Sequence, residues 1–136
     1  MLVSLNVKNF AIIDNIKLDF KEGMSVLTGE TGAGKSLIID AIGLLFGKRA
    51  SPDWVRHGEN KATIEGVFSG SNPKIKEILG IELGEEDYLV IKREIYSNGK
   101  SLCKVNNETV TLSQLAEISD AIGDIHSQYD TQGLFN

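Results

Sequence analysis

The sequence predicts an α/β fold in which an antiparallel β region stands beside a core of strand, glycine-rich loop and helix. Three observations carry that expectation. Apolar residues alternate with period two in several runs; turns rich in asparagine and glycine punctuate those runs; and one apolar, partly β-branched run passes through clustered glycines into a segment whose apolar residues recur three and four apart. With 136 residues, 41% hydrophobic and 24% charged, the chain is long enough for one substantial core and too short for two.

The elements follow in order. Val3, Leu5 and Val7 alternate against Leu2, Ser4 and Asn6, which predicts a strand that turns at Lys8-Asn9. Ile16 to Phe20 repeats the pattern, Lys21-Glu22-Gly23 reads as a turn, and Met24 to Thr28 reads as a buried strand. Gly29 to Gly34 is expected to be a loop, and Ser36 to Phe46 a helix carrying Leu37, Ile38, Ala41, Leu44 and Leu45 on one face, stopped by Gly47. Arg49 to Gly58 is a polar surface segment with one aromatic, Trp54. A strand is expected over 62–68, a short helix over 72–79 and a strand over 88–95. Ser97-Asn98-Gly99-Lys100 signals a hairpin, because Asn-Gly tolerates the positive φ of a tight turn. A smaller hairpin joins residues 101–105 to 109–111 through Asn106-Asn107-Glu108, and a helix follows over 112–122 with Thr111 or Ser113 as its cap. Residues 124–132 form a polar loop.

Composition excludes several classes. Fourteen Lys+Arg against nineteen Asp+Glu give a net charge of -5, which argues against a uniformly basic, nucleic-acid-wrapping surface and leaves room for a local basic patch. Cys103 is the single cysteine, so no intrachain disulfide forms. No apolar run reaches the length of a membrane span, and the first residues lack the basic and apolar stretches of an export signal, so a cytoplasmic location is expected.

Gly29-x-x-x-x-Gly34-Lys35-Ser36 is the phosphate-loop (Walker A) pattern, placed between a predicted strand and a predicted helix, where its mechanism requires it. From the chain's own composition, a chance match has a probability of about 1%. Gly29, Gly32 and Gly34 let the backbone of Glu30, Thr31 and Ala33 curl so that successive N–H groups face phosphate oxygens, and the helix start through Leu37 adds its dipole. Lys35 supplies charge to the β and γ phosphates of ATP. Ser36 offers a hydroxyl to Mg²⁺.

Other signatures narrow the class. Asn60-Lys61-Ala62-Thr63 lacks the aspartate of a guanine reader, and both Asp-x-x-Gly sequences, starting at Asp40 and Asp120, fall in predicted helices, which argues against a GTPase. Three arginines and at least two hairpins do not suit a compact kinase with an arginine-rich lid. No four apolar residues precede Asp-Glu, and no Leu-Ser-Gly-Gly occurs, so a Walker B carboxylate pair and an ABC signature are both missing.

Leu5 to Ile13, Val26 to Ser36, Val55-Arg56-His57-Gly58 and Asp124-Ile125-His126-Ser127-Gln128 together closely resemble the RecN family of SMC-like ATPases in bacterial DNA repair, from residue 2 to about 134. The resemblance implies a P-loop NTPase lobe of ABC/SMC-head type. Residues 1–136 would be the N-terminal part of that head, from P-loop to Q-loop, with a coiled coil and a C-terminal half bearing the signature and Walker B lying elsewhere. It implies an ATP- and Mg²⁺-dependent ATPase acting on DNA double-strand breaks in recombinational repair, in the cytoplasm at the nucleoid. Two heads would sandwich ATP as a homodimer, with no membrane involved. A head fragment of another SMC-like or ABC-type protein, not dedicated to repair, is the alternative.

The resemblance also assigns residues. Gln128 matches the Q-loop glutamine that contacts Mg²⁺ and the water near the γ phosphate, with Gln132 as its rival, because the family's Gly-Gln-His-Glu-His-Gln is here Ser127-Gln128-Tyr129-Asp130-Thr131-Gln132. Arg56 matches an arginine presented to the γ phosphate; the other reading of Arg56 is a surface salt bridge. Asn9, with Lys8, would border the adenine or ribose. His57 and His126 have no partner at metal-ligand spacing, so a loop-orienting hydrogen bond suits His126, and Trp54 suits an anchor better than a base-stacking platform. The lobe by itself would bind ATP-Mg²⁺ without turning it over.

Overall fold

A computed structural model describes residues 2–20, 32–69 and 88–121, with residues 32–35 and 121 placed by their backbone alone. Expectations for the turn at 21–23, the strand at 24–28, the loop start Gly29-Glu30-Thr31, the helix at 72–79 and the loop at 124–132 fall outside the described residues.

Among the described residues, six strands form one antiparallel sheet: β1 (Leu2–Phe10), β2 (Ile13–Asp19), β3 (Lys61–Phe68), β4 (Leu89–Tyr96), β5 (Ser101–Val105) and β6 (Glu108–Val110), in the spatial order β2-β1-β3-β4-β5-β6. Helix α1 (Gly32–Leu45) lies in sequence between β2 and β3, and helix α2 (Leu112–Ala121) follows β6. Period-two alternation sends Leu5, Val7, Ala62, Ile64, Phe68, Leu89, Ile91, Ile95, Cys103 and Val105 to one buried face, where Ile38, Ala41, Ile42, Leu44 and Leu45 of α1 join them. Each large aliphatic or aromatic side chain so buried contributes about 1.5–3 kcal/mol. Gly66 lets α1 come close: a Cβ there would stand 2.5 Å from Leu45 Cδ1 and 3.2 Å from Phe68 Cε2, so any larger residue would force Leu45 to shift.

Turn positions show where the pattern misleads. Lys8-Asn9 reads as a turn, yet β1 continues to Phe10, because Lys8 is paired on both sides, with Asn15 of β2 and Thr63 of β3. The reversal falls at Ala11-Ile12, between the paired Phe10 and Ile13, with Ala11 at φ 54° where glycine would be usual. At residues 97–100 the hairpin forms as expected, but only Gly99 takes positive φ (96°), and the Gly99 N–H donates to the Tyr96 carbonyl at 3.0 Å, a type I turn closed by a glycine bulge. Asn106 and Asn107 both take positive φ (49° and 70°) between paired Val105 and Glu108, the two-residue mirror turn.

Candidate functional site

Helix α1 begins at Gly32, four residues before its expected start, so the last glycines of the expected loop are already helical. The first four N–H groups of a helix have no partner within it, and the dipole is positive there. The first turn of α1 carries no acidic residue that would compete for those groups. Gly32, Ala33, Gly34, Lys35 and Ser36 therefore stand where an anion is accepted, Ser36 is exposed, and Leu37 packs partly against the core. This fits a nucleotide phosphate with Mg²⁺: the backbone and Lys35 would hold phosphate oxygens, and the Ser36 hydroxyl would offer the metal one ligand.

The other end of α1 is closed by a Schellman cap. Gly47, at φ 96°, donates its N–H to the Leu44 carbonyl at 3.3 Å, and the Lys48 N–H donates to the Gly43 carbonyl at 3.3 Å. Gly47 also lies against the Ala116 backbone of α2, where a Cβ would stand 3.3 Å from Ala116 Cα.

Asn9 and Arg56, widely separated in sequence, are brought together. The Arg56 N–H donates to the Asn9 carbonyl at 2.8 Å, the Ala11 N–H donates to the Trp54 carbonyl at 2.7 Å, and Phe10 bridges to Val55. Trp54, in the 3-10 turn Pro52–Trp54, stacks on Phe10 with ring centroids 4.7 Å apart and 13° between planes, the anchoring role expected of it. The Arg56 guanidinium forms an exposed ion pair with Asp14 of β2 (Nη1 to Oδ1 3.4 Å), so the salt-bridge reading of Arg56 is realised. His57 is exposed. Gln128, Gln132 and His126, like Gly29, Glu30 and Thr31, lie outside the described residues.

Lys8 and Asn9 line a polar hollow of about 380 Å³ with Asn6, Lys61, Thr63, Glu65 and Lys92. Asn6, Thr63, Glu65 and Lys92 alternate out of phase with the core residues of their strands, so this hollow opens on the face of the sheet opposite α1. Beside it, the side chain of Glu94 is only 7% exposed; it accepts the Tyr96 hydroxyl at 2.6 Å and pairs with Lys61 (3.4 Å) and Lys92 (3.7 Å). The Tyr96 hydrogen bond leads in holding the Glu94 carboxyl below its ordinary range, against the opposing effect of burial, and it raises the Tyr96 phenol.

Sequence reading passed over Arg93. It is 1% exposed on the α1 side of β4, and its Nη1 donates to the Leu44 and Lys48 carbonyls, both at 2.9 Å. Burial pulls its pKa down, with the Cys103 thiol opposing. The signal was present: Leu89, Ile91, Arg93 and Ile95 share one phase, so a charged residue stood in an otherwise apolar row.

Among known proteins, residues 4–133 match the AAA domain family. DNA repair protein RecN of Halalkalibacterium halodurans is 47% identical over 140 residues, covering 100% of this chain and 25% of the relative, and RecN of Bacillus subtilis is 48% identical over 138 residues, covering 98% and 24%. The chain thus spans about a quarter of the length of the curated relatives it matches. Among solved structures, one from work on ATP-driven dimerization and DNA-stimulated activation of SMC ATPases superposes with TM-score 0.66 at 26% identity, covering 90% of this chain and 77% of that one. The SMC head domain from Thermotoga maritima shares the fold at TM-score 0.61, with 23% identity and coverage of 86% and 41%. The antiparallel sheet with α1 on one face is the N-terminal lobe of a P-loop ATPase. The chain belongs to the AAA domain family, and within it to the RecN type, whose N-terminal portion it matches.

Proposed function

We propose that the chain is the nucleotide-binding portion of an SMC-like ATPase head that acts in recombinational repair of DNA double-strand breaks. The carrying observation is the run Gly32-Ala33-Gly34-Lys35-Ser36 forming the first turn of α1, a helix buried against an antiparallel sheet. Gly29 to Leu37 would cradle the phosphates of ATP, Lys35 would neutralise the β and γ phosphates, and Ser36 would hold Mg²⁺, with Gln128 as a second ligand. Asn9 would border the nucleoside. Arg56 would exchange Asp14 for the γ phosphate, a change open to an exposed and therefore weak ion pair.

Residues 1–136 would run from P-loop to Q-loop of the head. Phosphoryl transfer also needs a positioned water and charge stabilisation beyond the γ phosphate. The Walker B and signature groups that supply these would come from the C-terminal half of the longer protein and from a second head across the ATP. The chain alone would therefore bind ATP-Mg²⁺ without hydrolysing it. DNA would be the partner of the whole protein, at the nucleoid in the cytoplasm.

Isothermal titration of ATP-Mg²⁺ into the chain and into Lys35→Ala, with phosphate release followed in the same samples, tests this. Binding by the unmutated chain, its loss in Lys35→Ala and no release by either are the expected results. Sustained turnover by the unmutated chain would show that its hydrolytic groups lie within these 136 residues and would overturn the divided-head reading.

A further inference from the structure

Arg93 is an expensive residue where it stands. Its guanidinium is removed from water on the core side of an interior strand, and among the described residues no carboxylate pairs with it. Among the described residues its Nε finds no hydrogen-bond partner. An aliphatic side chain would continue the row of Leu89, Ile91 and Ile95 at lower desolvation cost. What Arg93 does provide is two hydrogen bonds from one nitrogen to carbonyls on either side of the α1 cap: Leu44, inside the last turn, and Lys48, just past Gly47 where the chain leaves the helix. A fixed cation also complements the negative end of the helix dipole.

Three contacts thus hold the same end of α1: Leu45 seated over Gly66, Gly47 against Ala116, and Arg93 bridging the cap. The other end carries Lys35 and Ser36. A helix of 14 residues is about 20 Å long, so a pivot of about 3° at the anchored end moves the free end by about 1 Å. Misplacement on that scale is enough to weaken a site that reads phosphate oxygens by geometry.

We propose that Arg93 is a positioning residue for the phosphate loop: by clamping the C-terminal cap of α1 to the antiparallel sheet it fixes where the N-terminal end of the helix meets the nucleotide. The inference rests on the nucleotide-binding reading of Gly29 to Ser36. It ties β4 to a site that Arg93 never touches.

The test measures ATP-Mg²⁺ affinity by titration calorimetry and unfolding temperature by circular dichroism, on the full chain and on Arg93→Met, Arg93→Lys and Ile118→Val. Ile118 is a buried α2 residue outside the clamp, and its loss of one methylene serves as a destabilised control. The expected result is a dissociation constant raised at least about tenfold in Arg93→Met, measured well below its melting temperature, and largely restored in Arg93→Lys, with Ile118→Val melting earlier at unchanged affinity. If Arg93→Met does not fold, Arg93→Lys carries the test: an intermediate loss of affinity, with melting no lower than Ile118→Val, supports positioning. Wild-type affinity in folded Arg93→Met, or in Arg93→Lys where Arg93→Met does not fold, would reduce Arg93 to a stability role and overturn the proposal. Failure of the unmutated chain to bind would instead strike the nucleotide reading itself, and the inference with it.

Discussion

Glu94 gathers three donors on the outward face of the sheet, the Tyr96 hydroxyl first and then the ammonium groups of Lys61 and Lys92. Its folded carboxyl holds a proton less tightly than the same group in the unfolded chain. It therefore contributes stability above the ordinary value of 4.5, and that contribution is lost as pH falls from there through the lowered folded value. Tyr96 behaves oppositely: its folded value is raised above 10.0, so its contribution is complete below that pH and is lost as pH rises through the raised value. Glu94→Gln should consequently flatten the acid side of a melting-temperature profile recorded between about pH 3 and pH 7. Equal acid slopes in both proteins would remove Glu94 from the account.

Helix α2 shows what one cap is worth. The Thr111 N–H donates to Gln114 Oε1 at 2.9 Å and the Gln114 N–H donates to Thr111 Oγ1 at 3.0 Å, a reciprocal capping box that selects Thr111 over Ser113 as the cap. Thr111→Ala should cost about 1 kcal/mol, read as a lower urea midpoint with faster amide exchange in α2. Unchanged exchange there would mean that Leu115 and Ile118, both fully buried, hold the helix without its cap. Strands β2 to β5 and both helices were legible because a single physical rule, burial of one face, wrote their periodicity. The first reversal was not. Lys8-Asn9 looks like a turn because polar pairs favour turns, and Ala11-Ile12 does not, because nothing in an alanine announces positive φ. The phosphate-loop pattern stands out in the sequence for another reason, since phosphate recognition by backbone N–H groups demands glycines at fixed spacing whatever the rest of the fold does. Arg93 escaped because its partners are carbonyls, which every residue has, so no complementary side chain marks them in the sequence.

At the scale of the whole molecule, the sheet ends at β2 and β6 among the described residues. Three-residue β6 is too short to recruit another chain, whereas β2 has seven residues and sets Asp14, Asn15, Lys17 and Asp19 in solvent. Replacing Asn15 and Lys17 together by valine should turn that edge adhesive, seen in light scattering as a mass rising with concentration above the 14.8 kDa of one chain. A concentration-independent mass in the double variant would show that Asn15 and Lys17 are not what keeps the edge apart. The strand order also bears on how quickly the lobe can assemble. Pairs between β4 and β5 join close neighbours in sequence, Ile95 with Ser101 at the nearest, whereas every pair between β1 and β3 joins residues more than fifty positions apart, Lys8 with Thr63 at the nearest. The loop so closed contains the whole phosphate loop and α1, and closure must be met with chain entropy before its contacts are gained. The hairpins from β4 onward can form early and locally, so the slow step of folding is the docking of β1 on β3, and the apolar face of α1 gains its full seat only after that step.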